Sequence, residues 1–251
     1  MTNAFPKILL MAAIAAGALS VGMLRAEEPH FTQVNLVSNM ATLAAVTDAK
    51  LKNPWGLSHS PTSPFWSSDQ GTSKATLYAV TGKTTVSKLA LEVDIPKTAA
   101  GPQGPTGQVN NTNTASFPVG NGGDGGSAHF IFANLNGTIS AWDKGPTAVI
   151  QVTTPGAVYT GLAINGAETR LYAVNTAGGS IDVFDSAFVP VNLGASAFVN
   201  PSLPAGLVPF NARNISGDIY VTYAPAGRIN QVGAPLGAGA VADFDEDGNF
   251  I

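Results

Sequence analysis

The sequence predicts an all-β fold, a β-propeller of four-stranded blades. Beyond the first 26 residues, no segment keeps an apolar i, i+3, i+4, i+7 stripe for three turns. Short β-prone runs bounded by Gly, Pro, Asn and Asp recur in a fixed order of four. The third run of three units closes on an aromatic followed by aspartate: Trp142-Asp143, Phe184-Asp185 and Phe244-Asp245.

The first unit holds Trp55 to Ser58, Phe65 to Asp69, Leu77 to Val80 and Val86 to Ile95. The second is expected over Ser116 to Val119, Phe130 to Asn134, Thr138 to Asp143 and Ala148 to Thr153. The third runs through Tyr159 to Ile164, Leu171 to Asn175, Ile181 to Asp185 and a weaker fourth run. The last holds Phe210 to Ile215, Ile219 to Tyr223, Gly239 to Phe244 and Asn249 to Ile251. Unit starts lie about 40 to 60 residues apart, the period of propeller blades. A lone meander cannot bury both of its apolar faces and must stack on neighbours, with the terminal aromatics as wedges. A β-sandwich also spaces its strands evenly, but it gives no reason for one repeated order and one repeated ending. Phe31 to Ser38 alternates polar and apolar residues, and is expected to complete a last blade against the C-terminal strands.

The leader sets the expected compartment. Lys7 precedes the charge-free run Ile8 to Leu24, and Arg25-Ala26 leads into Glu27-Glu28-Pro29. This is the pattern of a signal peptide over 1–26, with a propeller domain over 27–251 in a secreted or periplasmic protein without a stable membrane anchor. Cleavage would remove Lys7 and Arg25 and no acid, leaving a net charge near −6. An acidic surface of that kind argues against nucleic acid and anionic lipid as partners, and leaves a small-molecule substrate or envelope ligand. The chain has no Cys, so neither disulfides nor thiol chemistry is available.

Four segments carry a resemblance: Asn53-Pro54-Trp55-Gly56-Leu57, Pro64-Phe65-Trp66-Ser67-Ser68-Asp69, Pro209-Phe210-Asn211 and Tyr220-Val221-Thr222-Tyr223-Ala224. They resemble an uncharacterised family of exported bacterial proteins, similar to NHL-repeat and gluconolactonase-like propellers. The resemblance implies six blades in a full member and a chain that lacks roughly the last third of one. It supplies no catalytic residues.

Several motifs dissolve on inspection. Gly120-Asn121-Gly122-Gly123-Asp124-Gly125 spells a dinucleotide fingerprint, but Phe130-Ile131-Phe132 follows as a strand where a helix is required. Asp243, Asp245, Asp247 and Gly248 match half of a calcium loop flanked by a strand, and read as a hairpin turn. There is neither a G-x-S-x-G elbow nor an H-E-x-x-H, and His30, His59 and His129 are scattered.

One constellation remains. In an antiparallel hairpin, the start of the first strand and the end of the second lie at one end of the blade. Asn53 precedes a first strand, while Asp69, Asn134 and Asn175 close second strands in three successive units. Their oxygens are ligand types for Ca2+, and propeller lactonases hold calcium with such sets; the same residues also cap turns. Two functions follow: a calcium-dependent hydrolase of lactones or esters, with Asp69 as its single acid, or a binding or scaffold propeller without chemistry.

Overall fold

The computed structural model describes residues 31–99 and 101–251, so the expected leader lies outside the described residues. One compact unit spans Val34–Ile251. A short parallel pair, β1 (Val37–Ser38) and β2 (Val46–Thr47), precedes the repeats. The first blade is β3 (Pro54–Ser58), β4 (Phe65–Asp69), β5 (Lys74–Thr81) and β6 (Thr85–Asp94), antiparallel in that order. The second is β7 (Pro105–Asn110), β8 (Phe130–Asn134), β9 (Thr138–Trp142) and β10 (Val149–Thr153). The third is β11 (Tyr159–Ile164), β12 (Arg170–Asn175), β13 (Ser180–Asp185) and β14 (Pro190–Val191). The fourth has three strands, β15 (Leu207–Ile215), β16 (Asp218–Pro225) and β17 (Ala240–Phe244). The chain is a β-propeller. Its single α-helix among the described residues, α1 (Arg228–Val232), is little more than one turn, and no helix there is long and apolar enough to cross a membrane.

Strand alternation builds the core. Successive side chains on a strand point to opposite faces, so each second strand feeds two seams. On β8, Phe130 and Phe132 pack with Trp66, Leu77 and Val93 of the first blade. Ile131 and Ala133 instead pack with Tyr159, Leu171 and Phe184 of the third. On β12, Leu171 and Ala173 join that cluster, whereas Tyr172 and Val174 meet Ile219, Val221 and Phe244 of the fourth blade. Each fully buried large side chain contributes about 1.5–3 kcal/mol by leaving water. The aromatic-aspartate endings fall where the repeat requires. Trp142 pairs with Phe130, Phe184 with Leu171 and Phe244 with Ile219, and each aromatic wedges into the preceding blade.

Three expectations need correction. The first strand of the second blade is Pro105–Asn110, whereas Ser116 to Val119 is a loop holding only a Pro118–Ser127 bridge. Phe117 and Val119 are fully buried, so the apolar pattern there records loop packing beneath the blade. Phe31 to Ser38 does not complete the last blade, because Val37–Ser38 is taken by the nearer Val46–Thr47. In the fourth blade, Asn249 to Ile251 contributes a single bridge, Phe244 to Phe250.

The first strands ring an axis. In the first three blades the residue opposite the end of the second strand (Pro54, Pro105 or Tyr159) is followed by a register shift, and in the fourth a shift follows Pro209, opposite Tyr223. Three of these shifts contain Gly56, Gly107 and Gly161, where an added Cβ would meet the next first strand at 2.4, 2.2 and 2.3 Å respectively. Hydroxyls stitch the same ring together. Thr106 Oγ1 donates to Tyr159 O at 2.8 Å and Thr176 Oγ1 to Pro209 O at 2.9 Å. Trp55 and Phe210 meet with ring centroids 5.7 Å apart, joining the first blade to the fourth.

Candidate functional site

The four residues singled out by the repeat occupy the positions that the repeat assigns. Asp69 pairs with Pro54, Asn134 with Pro105 and Asn175 with Tyr159, at the same end of their blades. Alternation then separates their side chains. Each lies on the face of its second strand that looks to the preceding blade: Asn134 in the first–second seam, Asn175 in the second–third, and Asp69 on the face of the first blade away from the second. No hydrogen bond joins any two of the four.

Asn53, at φ 48°, donates from Nδ2 to Gln70 Oε1 at 2.8 Å and so stands beside the end of β4. Asn175 donates from Nδ2 to Asp182 Oδ2 at 3.1 Å, and its Oδ1 accepts from Gly178 N at 3.0 Å, as a turn cap does. Asn134 is fully buried. Its Nδ2 donates to Thr138 Oγ1 at 3.1 Å and Ser140 Oγ at 3.2 Å, while its Oδ1 meets no donor.

Asp69 belongs to a buried chain of polar groups. Ser67 Oγ donates to its Oδ1 at 2.8 Å, and its Oδ2 lies 2.6 Å from Thr76 Oγ1. Thr76 Oγ1 donates to the Tyr78 hydroxyl at 2.8 Å, which donates to Asp48 Oδ2 at 2.8 Å. Lys88 closes the chain on Asp48 at 2.9 Å and on Glu92 at 2.6 Å. Thr76 and Tyr78 have one proton each, so the three contacts from Asp69 to Asp48 are satisfied together only when one of the two carboxyls carries a proton, and the Lys88 ammonium on Asp48 favours Asp69 as the carrier. Burial acts in the same direction: it outweighs the Thr76 and Ser67 hydroxyls and pushes Asp69 up to about 6. For Asp48, burial raises the pKa, but the Lys50 amide, the Lys88 ammonium and the Tyr78 hydroxyl outweigh it and hold the carboxyl below its usual range.

The acid-rich turn after β17 is capped by its own residues. Asp245 Oδ1 accepts from Asp247 N at 2.9 Å and Asn249 N at 2.8 Å, and Asp247 pairs with Arg170 at 2.8 Å. The glycine-rich 120–125 segment is a loop running into the bridge at Ser127.

The axis holds a feature that no sequence motif announces. All four first strands line a cavity of about 500 Å³, with Trp55 and Phe210 as its aromatic wall. It shares Leu57, Gln108, Leu162 and Arg213 with a second cavity of about 600 Å³ toward the other ends of the same strands. The two form one channel of mixed polar and apolar lining. Seven buried side-chain polar atoms lack a partner among the described residues, and three of them, Ser58 Oγ, Gln108 Oε1 and Asn214 Nδ2, belong to residues on the wall of the larger cavity but are themselves shielded from solvent. Gln108 is 4 % exposed; its Nε2 donates to Gly56 O at 3.2 Å and to Trp66 O, and its Oε1 is buried without a donor.

No family profile matches the chain. Two uncharacterized proteins of Acanthamoeba polyphaga mimivirus are 30 % and 29 % identical to it over 229 and 228 residues, each match covering 86 % of this chain. The chain spans 59 % and 55 % of their lengths. Another uncharacterized protein of that virus is 30 % identical over 158 residues, with 29 % of its own length covered. Among solved structures, a virginiamycin B lyase from Staphylococcus aureus is 12 % identical with a TM-score of 0.49, the match covering 79 % of this chain and 54 % of the lyase. The C-terminal WD40 domain of Sif2 is 13 % identical with a TM-score of 0.41, over 78 % of this chain and 46 % of that domain.

Proposed function

We propose that this chain is an exported, small-molecule-binding propeller whose ligand lies in the axial channel. One observation carries the reading: the first strands of all four blades converge on one channel whose wall carries the Trp55–Phe210 pair and the Arg213 guanidinium. Ligand pockets combine an apolar lining with a few convergent polar groups, and the channel has both. Export rests on the pattern of residues 1–26.

Calcium-dependent hydrolysis of lactones or esters at Asn53, Asp69, Asn134 and Asn175 is the competing reading. It is favoured by the buried Asn134 Oδ1 that meets no donor at the position equivalent to Asp69 and Asn175. To share an ion, these side chains would have to turn from separate seams toward the axis.

A thermal-shift screen decides between the two. Leu57 is 57 % exposed and lines both halves of the channel, so Leu57→Trp plugs it without disturbing the core. Under the binding reading, a compound at about 100 times its Kd stabilises the native chain by about 2.7 kcal/mol. Leu57→Trp removes that gain, and EDTA leaves it intact. Calorimetric heat from calcium that Asp69→Asn abolishes, with no compound sensitive to Leu57→Trp, would put the hydrolase in front.

A further inference from the structure

We infer that the ligand is an amphiphile with a straight apolar tail and a carboxylate head, an inference that rests on the channel being the binding site. The channel does not end at its own walls. Pro54 to Leu57 of β3 are shared with a third cavity, of about 690 Å³, between the first blade and the segment 34–51. Leu36, Leu43, Leu51, Leu57, Val80 and Val86 line this bay, and no charged side chain among the described residues does. Its polar side chains are already engaged. Asn35 Nδ2 donates to Leu43 O at 3.1 Å, and Ser38 Oγ accepts from Met40 N at 3.0 Å. Ser67 donates to Asp69, and Tyr78 donates to Asp48. A polar group entering the bay would lose its water for little return, so saturated carbon suits it.

The head is set by the part of the channel that adjoins the bay. Among the described residues, that cavity of about 500 Å³ carries one cation, Arg213 of β15, and no acid. Arg213 is exposed, and no hydrogen bond or ion pair engages its side chain among the described residues. A guanidinium fork is the matched partner of a carboxylate. The acid of the channel, Glu168, lines the other cavity only. There its Oε2 accepts from Thr112 N at 2.7 Å, Thr112 Oγ1 at 2.8 Å and Asn113 N at 2.7 Å. An ammonium head beside the bay would therefore face Arg213 and no carboxylate. One extended molecule can lie along Pro54 to Leu57, with its tail in the bay and its carboxylate at Arg213.

The test is calorimetric titration of the full chain with octanoate, hexanoate, octanol and octylammonium, all below micelle formation. Octanoate should bind, and octanol and octylammonium should bind at least about tenfold more weakly. Two CH2 groups separate octanoate from hexanoate, and their burial should tighten binding by about tenfold. Arg213→Gln should weaken octanoate by about tenfold and leave octanol unchanged. Leu43 is half-exposed and lines the bay but neither cavity of the channel, so Leu43→Glu should weaken both by about tenfold. Both positions face solvent, so an unaltered melting temperature shows that each variant is folded. No octanoate binding at millimolar concentration, equal affinities for octanoate and hexanoate, or octanoate binding untouched by Arg213→Gln would overturn the assignment. Leu57→Trp separates the two levels of inference. If other compounds bind and are lost in Leu57→Trp while octanoate never binds, the ligand class fails and the channel stands. If nothing that binds depends on Leu57, both fail.

Discussion

Replacing Gly107 by alanine should cost about 3 kcal/mol or more, the upper end of what overpacking does. The new Cβ would lie 2.2 Å from Leu162 N and 2.6 Å from Gly161 C. Both atoms are backbone, so no side chain can swing aside. Relief requires parting β7 from β11, and with them the cluster of Ile131, Tyr159, Leu171 and Phe184. Gly166→Ala is the control, because nothing stands within 4 Å of its added Cβ and its φ is not positive; it should move stability by no more than about 0.5 kcal/mol. Denaturant midpoints at constant m-value read both variants. Equal losses would mean that the first strands are not seated against one another as described.

Asp69→Asn should flatten the acid limb of the stability curve and stabilise the protein at neutral pH. The wild-type carboxyl titrates near 6 in the fold against 3.8 as its ordinary value. A raised carboxyl binds its proton more tightly when native. Its contribution is therefore fully present below pH 3.8 and is lost as pH rises through about 6. At about 1.4 kcal/mol per pH unit, the gap corresponds to a decline of roughly 3 kcal/mol across that window. Asp48 does not mask the decline: its carboxyl is held low, so its contribution is lost only as pH falls below the ordinary carboxylate range. Asparagine keeps the geometry, since its amide can donate to Thr76 Oγ1 while its oxygen accepts from Ser67. Urea melts of both proteins between pH 4 and 7 are the measurement. A wild-type curve that rises across this window, or a variant less stable at pH 7, would mean that Asp69 is held as a carboxylate.

The blades were legible in the sequence because each repeats a period that packing enforces. Trp142, Phe184 and Phe244 are spaced by the need for one wedge per seam. The start of the second blade was hidden because Pro105-Thr106-Gly107 sits in a stretch that reads as loop, while the buried loop residues Phe117 and Val119 imitate a strand. The signal that finds it is the match of Pro105-Thr106-Gly107 to Pro54-Trp55-Gly56, which the shared register shift explains. For the candidate residues, counting along the strand gave the correct end of the blade for Asp69, Asn134 and Asn175. Which seam each side chain enters depends on strand parity, and that is known only once the first residue of each strand is fixed. The axial channel was not legible. Leu57, Gln108, Leu162 and Arg213 form no motif, lie tens of residues apart, and meet only once the first strands are stacked around the axis.

The two-sided burial of β8 and β12 has a consequence for how this molecule comes apart. Neither strand can detach by opening one seam, because its odd and even side chains are held by different neighbours. Loosening the first or fourth blade exposes one cluster, but releasing a middle strand requires two clusters to open together. Amide exchange by local opening is thereby reserved for the outer blades, and the innermost protons of Phe132 and Ala173 exchange only when the molecule unfolds as a whole. The middle blades form a single slow unit, and the ends fray around it.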